Sequence, residues 1–254
     1  MPSIAGRVAL VTGASRGIGE AVARRLAKDG LRVALVARSG DAIASLAREL
    51  GGAAIVLDVT AKGAAEAMLE EARRALGPVD VVVPNAGIDA SLRLEQTSDE
   101  AWDEVFAINT TAVFRLCRAA IPDMIARGFG RVVVVASNAG LAGYPYCTAY
   151  CASKHAVVGL VRAIAAEIAR SPVTINAVCP GFVQTSMSDR AIERIADKTK
   201  RRRDDARAAL EGMSPQRRIF EAAEIAHLVA SLLPDEARGI HGQAIAIDGG
   251  KTGG

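Results

Sequence analysis

Tyr150 and Lys154 stand four residues apart in Tyr150-Cys151-Ala152-Ser153-Lys154. On a helix that spacing puts a phenol and an ammonium on one face. A free phenol, with a pKa of about 10, is a poor acid or base at neutral pH. A nearby cation favours the phenolate and lowers that value. The pair is therefore suited to exchanging a proton with the oxygen of a carbonyl whose carbon takes up a hydride. Ser137 precedes Tyr150 in sequence and ends an apolar run. At the same sheet edge its hydroxyl can hold that oxygen beside Tyr150.

A second cluster lies near the start of the chain. The apolar run from Arg7 leads into Thr12-Gly13-Ala14-Ser15-Arg16-Gly17-Ile18-Gly19. Gly13 permits a tight turn out of a strand. Gly17 and Gly19 remove side chains where a pyrophosphate and the sheet approach a helix. The helix N-terminus supplies unpaired N–H donors and the positive end of its dipole. The next apolar run ends at Ala37-Arg38, and no carboxylate follows until Asp41. An acid at that place accepts from the ribose hydroxyls of NAD. Arg38 instead offers a planar cationic fork to a 2′-phosphate, with Arg16 as a second cation. This favours NADP(H) over NAD(H).

Both clusters need a scaffold that brings their ends together. Apolar, β-branched runs recur at Arg7–Thr12, Arg32–Ala37, Ala53–Leu57, Asp80–Val83, Arg131–Ala136, Val173–Val178 and Gln243–Ile247. Helical periodicity fills Gly17–Asp29, Asp41–Leu50, Ala64–Leu76 and Tyr150–Arg170. Val132 to Val135 shows no polar alternation, so it belongs to a strand covered on both faces. The fold class is therefore α/β: a single-domain, Rossmann-like, doubly wound parallel sheet of about seven strands, with helices on both faces. Ligands of such sheets bind at the carboxyl ends of the strands. No linker or repeat divides residues 1–254. Segment 185–216 reads as a two-helix insertion, with Ile192 and Ile195 on one face and Ala206, Ala209, Leu210 and Met213 on another. Its position suits a substrate lid.

The 254 residues carry a net charge of +3, are 50% hydrophobic and 23% charged, and include only 4% aromatics. That excludes a disordered chain and predicts an aliphatic core. The charge is too small to argue for nucleic acid or a membrane as partner. No secretory signal precedes the first strand, and no apolar stretch reaches the ~18 residues a membrane span needs. Cys117, Cys147, Cys151 and Cys179 form no CxxC pair. They read as reduced thiols of a cytoplasmic protein. Cys147, Cys151 and His155 share a helical spacing, but no fourth ligand accompanies them, and no metal is expected.

Together these residues resemble the short-chain dehydrogenase/reductase family, in its compact single-domain branch and over essentially the whole chain. Gly13, Gly17 and Gly19 match its glycine motif, and Asn85-Ala86-Gly87 its Asn-Ala-Gly motif. Asn109, Ser137, Tyr150 and Lys154 match its catalytic set. Pro180-Gly181-Phe182-Val183-Gln184-Thr185 matches the segment beside the nicotinamide, and Asp248-Gly249-Gly250 the close of the last strand. Pro84 departs from a second asparagine found in many relatives.

The resemblance implies roles. Tyr150 is the acid in reduction and the base in oxidation. Lys154 depresses its pKa and holds the nicotinamide ribose. Ser137 orients the carbonyl, and Asn109 anchors a water serving Lys154. Ser15, Arg16 and Ile18 join the glycines around the cofactor, and Arg38 takes its 2′-phosphate. Asp58 and Val59 border the adenine, and Asn85, Ala86 and Gly87 line the adenosine ribose. Pro180, Gly181 and Val183 border the nicotinamide, and Thr185 reaches its carboxamide or the pyrophosphate. A homotetramer (or homodimer) follows from the resemblance, with helices near Thr111–Arg127 and Tyr150–Arg170 at one interface.

The substrate type most resembled is a 3-oxoacyl thioester on acyl carrier protein or coenzyme A. Lys198, Lys200, Arg201, Arg202 and Arg203, followed by Arg217 and Arg218, would attract such anionic carriers, although Asp204 and Asp205 interrupt the run. A ketone, sugar or alcohol without a thioester, and a catalytically silent NADP-binding sensor, are the alternatives.

Overall fold

The structure is a computed structural model and describes residues 4–253. Seven strands form one sheet: β1 (Val8–Thr12), β2 (Arg32–Ala37), β3 (Ala53–Val56), β4 (Val79–Val83), β5 (Gly130–Val135), β6 (Val173–Pro180) and β7 (Ala244–Ile247). Their spatial order is β3-β2-β1-β4-β5-β6-β7, and every pairing is parallel. Every residue of β1, β4, β5 and β6 is buried. That is the burial expected of strands without polar alternation.

The pleat sends alternate residues into two cores. Val8 and Leu10 of β1 join Val132 and Val134 of β5 on one face. Helices α3 (Ala64–Leu76), α5 (Ala112–Ala126) and α6 (Thr148–Glu167) cover that face through Met68, Leu116 and Val157. Ala9, Val11, Val133 and Val135 turn the other way. Helices α1 (Gly17–Lys28), α2 (Gly40–Leu50) and α9 (Ala222–Ser231) cover them through Val22, Leu26, Ile43 and Val229. The hydrophobic periodicity read above does not single out α9 or the short α4 (Asp99–Phe106).

The chain leaves β1 toward β2 and β3, then returns to the opposite side of β1 as β4. The crossovers diverge at that reversal and open a crevice at the carboxyl ends of the strands. Between α4 and α5, Ala107–Thr111 forms a π-helical turn that includes Asn109. Such turns are rare and occur mostly at functional sites.

The segment after β6 forms α7 (Ser186–Thr199) and α8 (Arg203–Glu211), as its two helical faces predict. It has its own small core of Ile192, Ala206, Leu210 and Ile219, with Ile195 at the edge. Ala209 and Met213 lie outside that core, and Met213 is exposed. The two faces read from the sequence therefore meet as one cluster, separate from the two under the sheet.

Leu210→Ala is expected to loosen this segment by about 2–5 kcal/mol, the usual cost of a buried leucine. Limited proteolysis should then cut faster within 186–216 while the main unfolding transition moves little. An equal fall in the main transition would show that α7 and α8 unfold with the sheet.

Candidate active site

The glycine turn is built by backbone approach. Gly13 and Gly17 adopt φ of +66° and +61°, the left-handed region open to glycine. A Cβ on Gly19 would sit 2.3 Å from the Gly13 carbonyl oxygen. Asn85 clamps the turn from β4: its Nδ2 donates to the carbonyls of Thr12 (2.9 Å) and Gly13 (3.3 Å). Thr12 Oγ1 in return accepts from the backbone N–H groups of Asn85 and Ala86. The Asn85 side chain is thus committed to the loop, although the residue also lines the crevice.

Helix α1 begins at this turn with Arg16 as N-cap, and no side chain caps it. Its first N–H groups are therefore left for a ligand, beside the positive end of the dipole. Arg16 and Arg38 are both exposed and line the same crevice with Gly13, Ser15, Gly17, Ile18, Asp58 and Val59. Arg38 reaches Asp58 only at 3.9 Å between two exposed side chains, an ion pair of little strength. Asp58 accepts instead from the Thr60 N–H and hydroxyl, which lower its pKa. Uncapped donors and two loosely held guanidiniums fit a phosphorylated dinucleotide.

At the far end, α6 brings Tyr150 and Lys154 to the crevice. Lys154 is buried, donates to the Val135 carbonyl at 3.2 Å, and lies 5.8 Å from the centre of the Tyr150 ring. Gly87 makes room there, since a Cβ would stand 3.2 Å from Asn109 Oδ1 and 3.7 Å from Lys154 Nζ. Ser137 is buried at the end of β5, hydrogen-bonds the Tyr150 phenol, and accepts from the Ala139 N–H at 3.1 Å. Asn109 is buried and bridges three segments. Its Oδ1 accepts from Ile88 N–H (2.9 Å), and its Nδ2 donates to Ile88 O (3.0 Å) and Ser153 Oγ (3.1 Å).

Burial and packing bear on two of the sequence expectations. Burial pushes the Tyr150 phenol up to about 12, and the Ser137 hydrogen bond only partly offsets it. Burial likewise pulls Lys154 down to about 8. Desolvation thus leads in setting the phenol. Gly19, Pro180, Gly181 and Val183, like Asn109 and Ser137, lie behind the crevice surface rather than on it. Gly19 is buried under the turn, and Pro180 pairs with Ile247 of β7. Gly181 donates to Ile247 O and abuts Asp248, while Val183 is buried against Phe220. They support the wall from behind.

The crevice also includes Ile88, Ile108, Ser186, Met187 and Arg190, which no motif marked. Thr185 joins them at the root of α7, and a Cβ on Gly17 would meet its methyl at 2.9 Å. His155 Nδ1 lies 2.9 Å from the Cys151 carbonyl, and the described residues hold no cluster of three or more metal-ligating groups. All four cysteines are free. Among the described residues no helix is long and apolar enough to cross a membrane.

The short chain dehydrogenase profile matches residues 7–196. The chain belongs to this family. It is 37% identical over 247 residues to 3-oxoacyl-(acyl-carrier-protein) reductase FabG of Escherichia coli strain K12, covering 96% of this chain and 97% of the relative. A variant of actinorhodin polyketide ketoreductase, solved with NADPH, superposes with a TM-score of 0.93 at 36% identity over 97% of each chain. Levodione reductase superposes with the same TM-score at 31% identity, over 98% of each chain. In this dehydrogenase the glycine turn is a packing element. Gly19→Ala is accordingly expected to cost about 1–3 kcal/mol through overpacking. Thermal melts should fall by several degrees; an unchanged melt would show that the turn can give way.

Proposed function

We propose that the protein is an NADPH-dependent reductase that converts a 3-oxoacyl thioester, on acyl carrier protein or coenzyme A, to the 3-hydroxy form. The observation that carries the chemistry is the Ser137–Tyr150 hydrogen bond beside Lys154, in a crevice that also opens on the uncapped start of α1. The thioester rests on the likeness to FabG and the polyketide ketoreductase. The likeness to levodione reductase keeps a ketone without a thioester as the second reading.

The phenol at about 12 stays protonated at neutral pH, so Tyr150 is ready as the donor. Ser137 holds the carbonyl oxygen against it, and Tyr150 Oη gives that oxygen its proton. When bound, the reduced nicotinamide supplies the hydride to the carbonyl carbon. Lys154, with a pKa of about 8, remains mostly charged at neutral pH and steadies the negative charge left on Tyr150. Asn109 is a positioning residue: its amide binds Ile88 and Ser153 and so sets the height of Tyr150 and Lys154 in the wall. The α1 N-terminus with Gly13, Ser15, Gly17 and Ile18 would hold the pyrophosphate. Arg16 and Arg38 would hold the 2′-phosphate, Asp58 and Val59 the adenine, and Ala86 and Gly87 the ribose. Thr185 would anchor the nicotinamide side.

We assign residues 185–216 to a lid, on their separate core and their root against Gly17. The whole chain would act as one domain in the cytoplasm, as four free thiols suggest. A homotetramer would cover Phe114 and Ile125 of α5, which are exposed in the single chain.

The first test follows NADPH absorbance with acetoacetyl-coenzyme A. Tyr150→Phe is expected to cut kcat by about 10²–10⁴-fold while leaving NADPH affinity in place. Full activity in that variant removes the assignment. A second expectation concerns cofactor choice. Arg38→Asp should lower the NADPH-over-NADH ratio of kcat/KM by about tenfold or more; an unchanged ratio would make Arg38 a surface group only.

A further inference from the structure

Helix α7 carries Arg190 and Arg194 one turn apart, and both face one carboxylate, Asp89, in the loop after β4. Arg194 donates to Asp89 Oδ2 at 2.5 Å. Arg190 stands 3.6 Å from Oδ1, close enough for an ion pair but not a hydrogen bond. Among the described residues the Arg190 side chain makes no hydrogen bond, although a guanidinium carries five N–H donors. Yet Arg190 lines the crevice that holds Tyr150 and Lys154.

The charges do not balance. Two guanidiniums share one carboxylate, so the spot keeps a net positive charge at the mouth of the crevice. The carboxylate and the arginines also belong to different walls. Asp89 follows Ile88, which Asn109 pins through both its backbone groups. The arginines ride on α7, whose own core is separate from the cores under the sheet. An anion arriving from solvent can therefore take the arginines from Asp89 without disturbing the catalytic wall.

The location selects which anion. The loop that carries Asp89 runs on to Leu92, which bridges to Cys147 just before α6 and donates its N–H to the Tyr146 carbonyl. That places Asp89 and its two arginines beside the Tyr150 end of the crevice. Arg16 and Arg38 line the crevice from the other side, on the loops after β1 and β2. Paired guanidiniums favour phosphate, because several oxygens accept from both forks at once.

We infer that Arg190 and Arg194 form a binding site for the phosphate of a phosphopantetheine thioester, with Asp89 occupying the site until that phosphate displaces it. The inference rests on the thioester reading above and adds where the charged arm is held. Arg190 is the ligand poised to bind first, since its donors are unused. Asp89 sets the threshold by competing for the same cations. A neutral arm gains nothing from the site.

The test compares acetoacetyl-coenzyme A with acetoacetyl-N-acetylcysteamine, which has the thioester but no phosphate. The readout is the ratio of their kcat/KM values, together with the NADPH dissociation constant from fluorescence. Arg190→Ala, which breaks no hydrogen bond, is expected to lower the ratio about tenfold. Asp89→Asn should raise it several-fold by removing the competing charge. An unchanged ratio in Arg190→Ala overturns the inference, whatever happens in the other variant. Weaker NADPH binding with an unchanged ratio overturns it in favour of the cofactor's phosphates. Turnover of neither thioester by the unaltered enzyme overturns the thioester reading itself, and this inference with it. Turnover of both with an insensitive ratio leaves that reading standing and removes the inference alone.

Discussion

One buried amide holds the site together. Asn109 sits in the π-helical turn between α4 and α5 and spends its side chain on Ile88 and Ser153. Stripping a buried polar group of its partners costs about 1–3 kcal/mol, so the three segments are expensive to separate. One carries the loop after β4, with Gly87 below Lys154 and Asp89 beyond Ile88. Another carries α6, where Ser153 neighbours Lys154. The π-helical turn itself gives Asn109 a reach between both walls that an unbroken helix would direct elsewhere.

The two ends of the crevice differ in their exposure to solvent. At the Tyr150 end burial dominates, driving the phenol up and the ammonium down, so both groups are held away from their free values. A phenol kept protonated beside a buried ammonium that stays mostly charged suits a step in which charge appears on an oxygen. At the Arg16 and Arg38 end the guanidiniums are exposed and loosely paired. Their attraction is screened until a phosphate excludes the solvent between them. Arg190 and Arg194 lie between these extremes, partly exposed and sharing one carboxylate.

The sequence by itself determined the frame and the chemistry. Strand ends fell within a residue or two because runs such as Val132–Val135 have no polar face to offer water, which leaves only the middle of a parallel sheet. The crevice follows from that order, and Gly13, Gly17, Tyr150 and Lys154 lie at it because their motifs end strands or open helices. Tertiary structure decided what depends on neighbours distant in sequence. Gly19, Pro180, Gly181 and Val183 share a motif with crevice-lining residues but pack against β7, Phe220 or the turn itself. The phenol's direction of shift turned on burial, which spacing along a helix does not encode. The Asp89–Arg194 contact joins residues 105 apart with no motif around either. Local pattern reports which face a residue presents; only packing decides what meets it there.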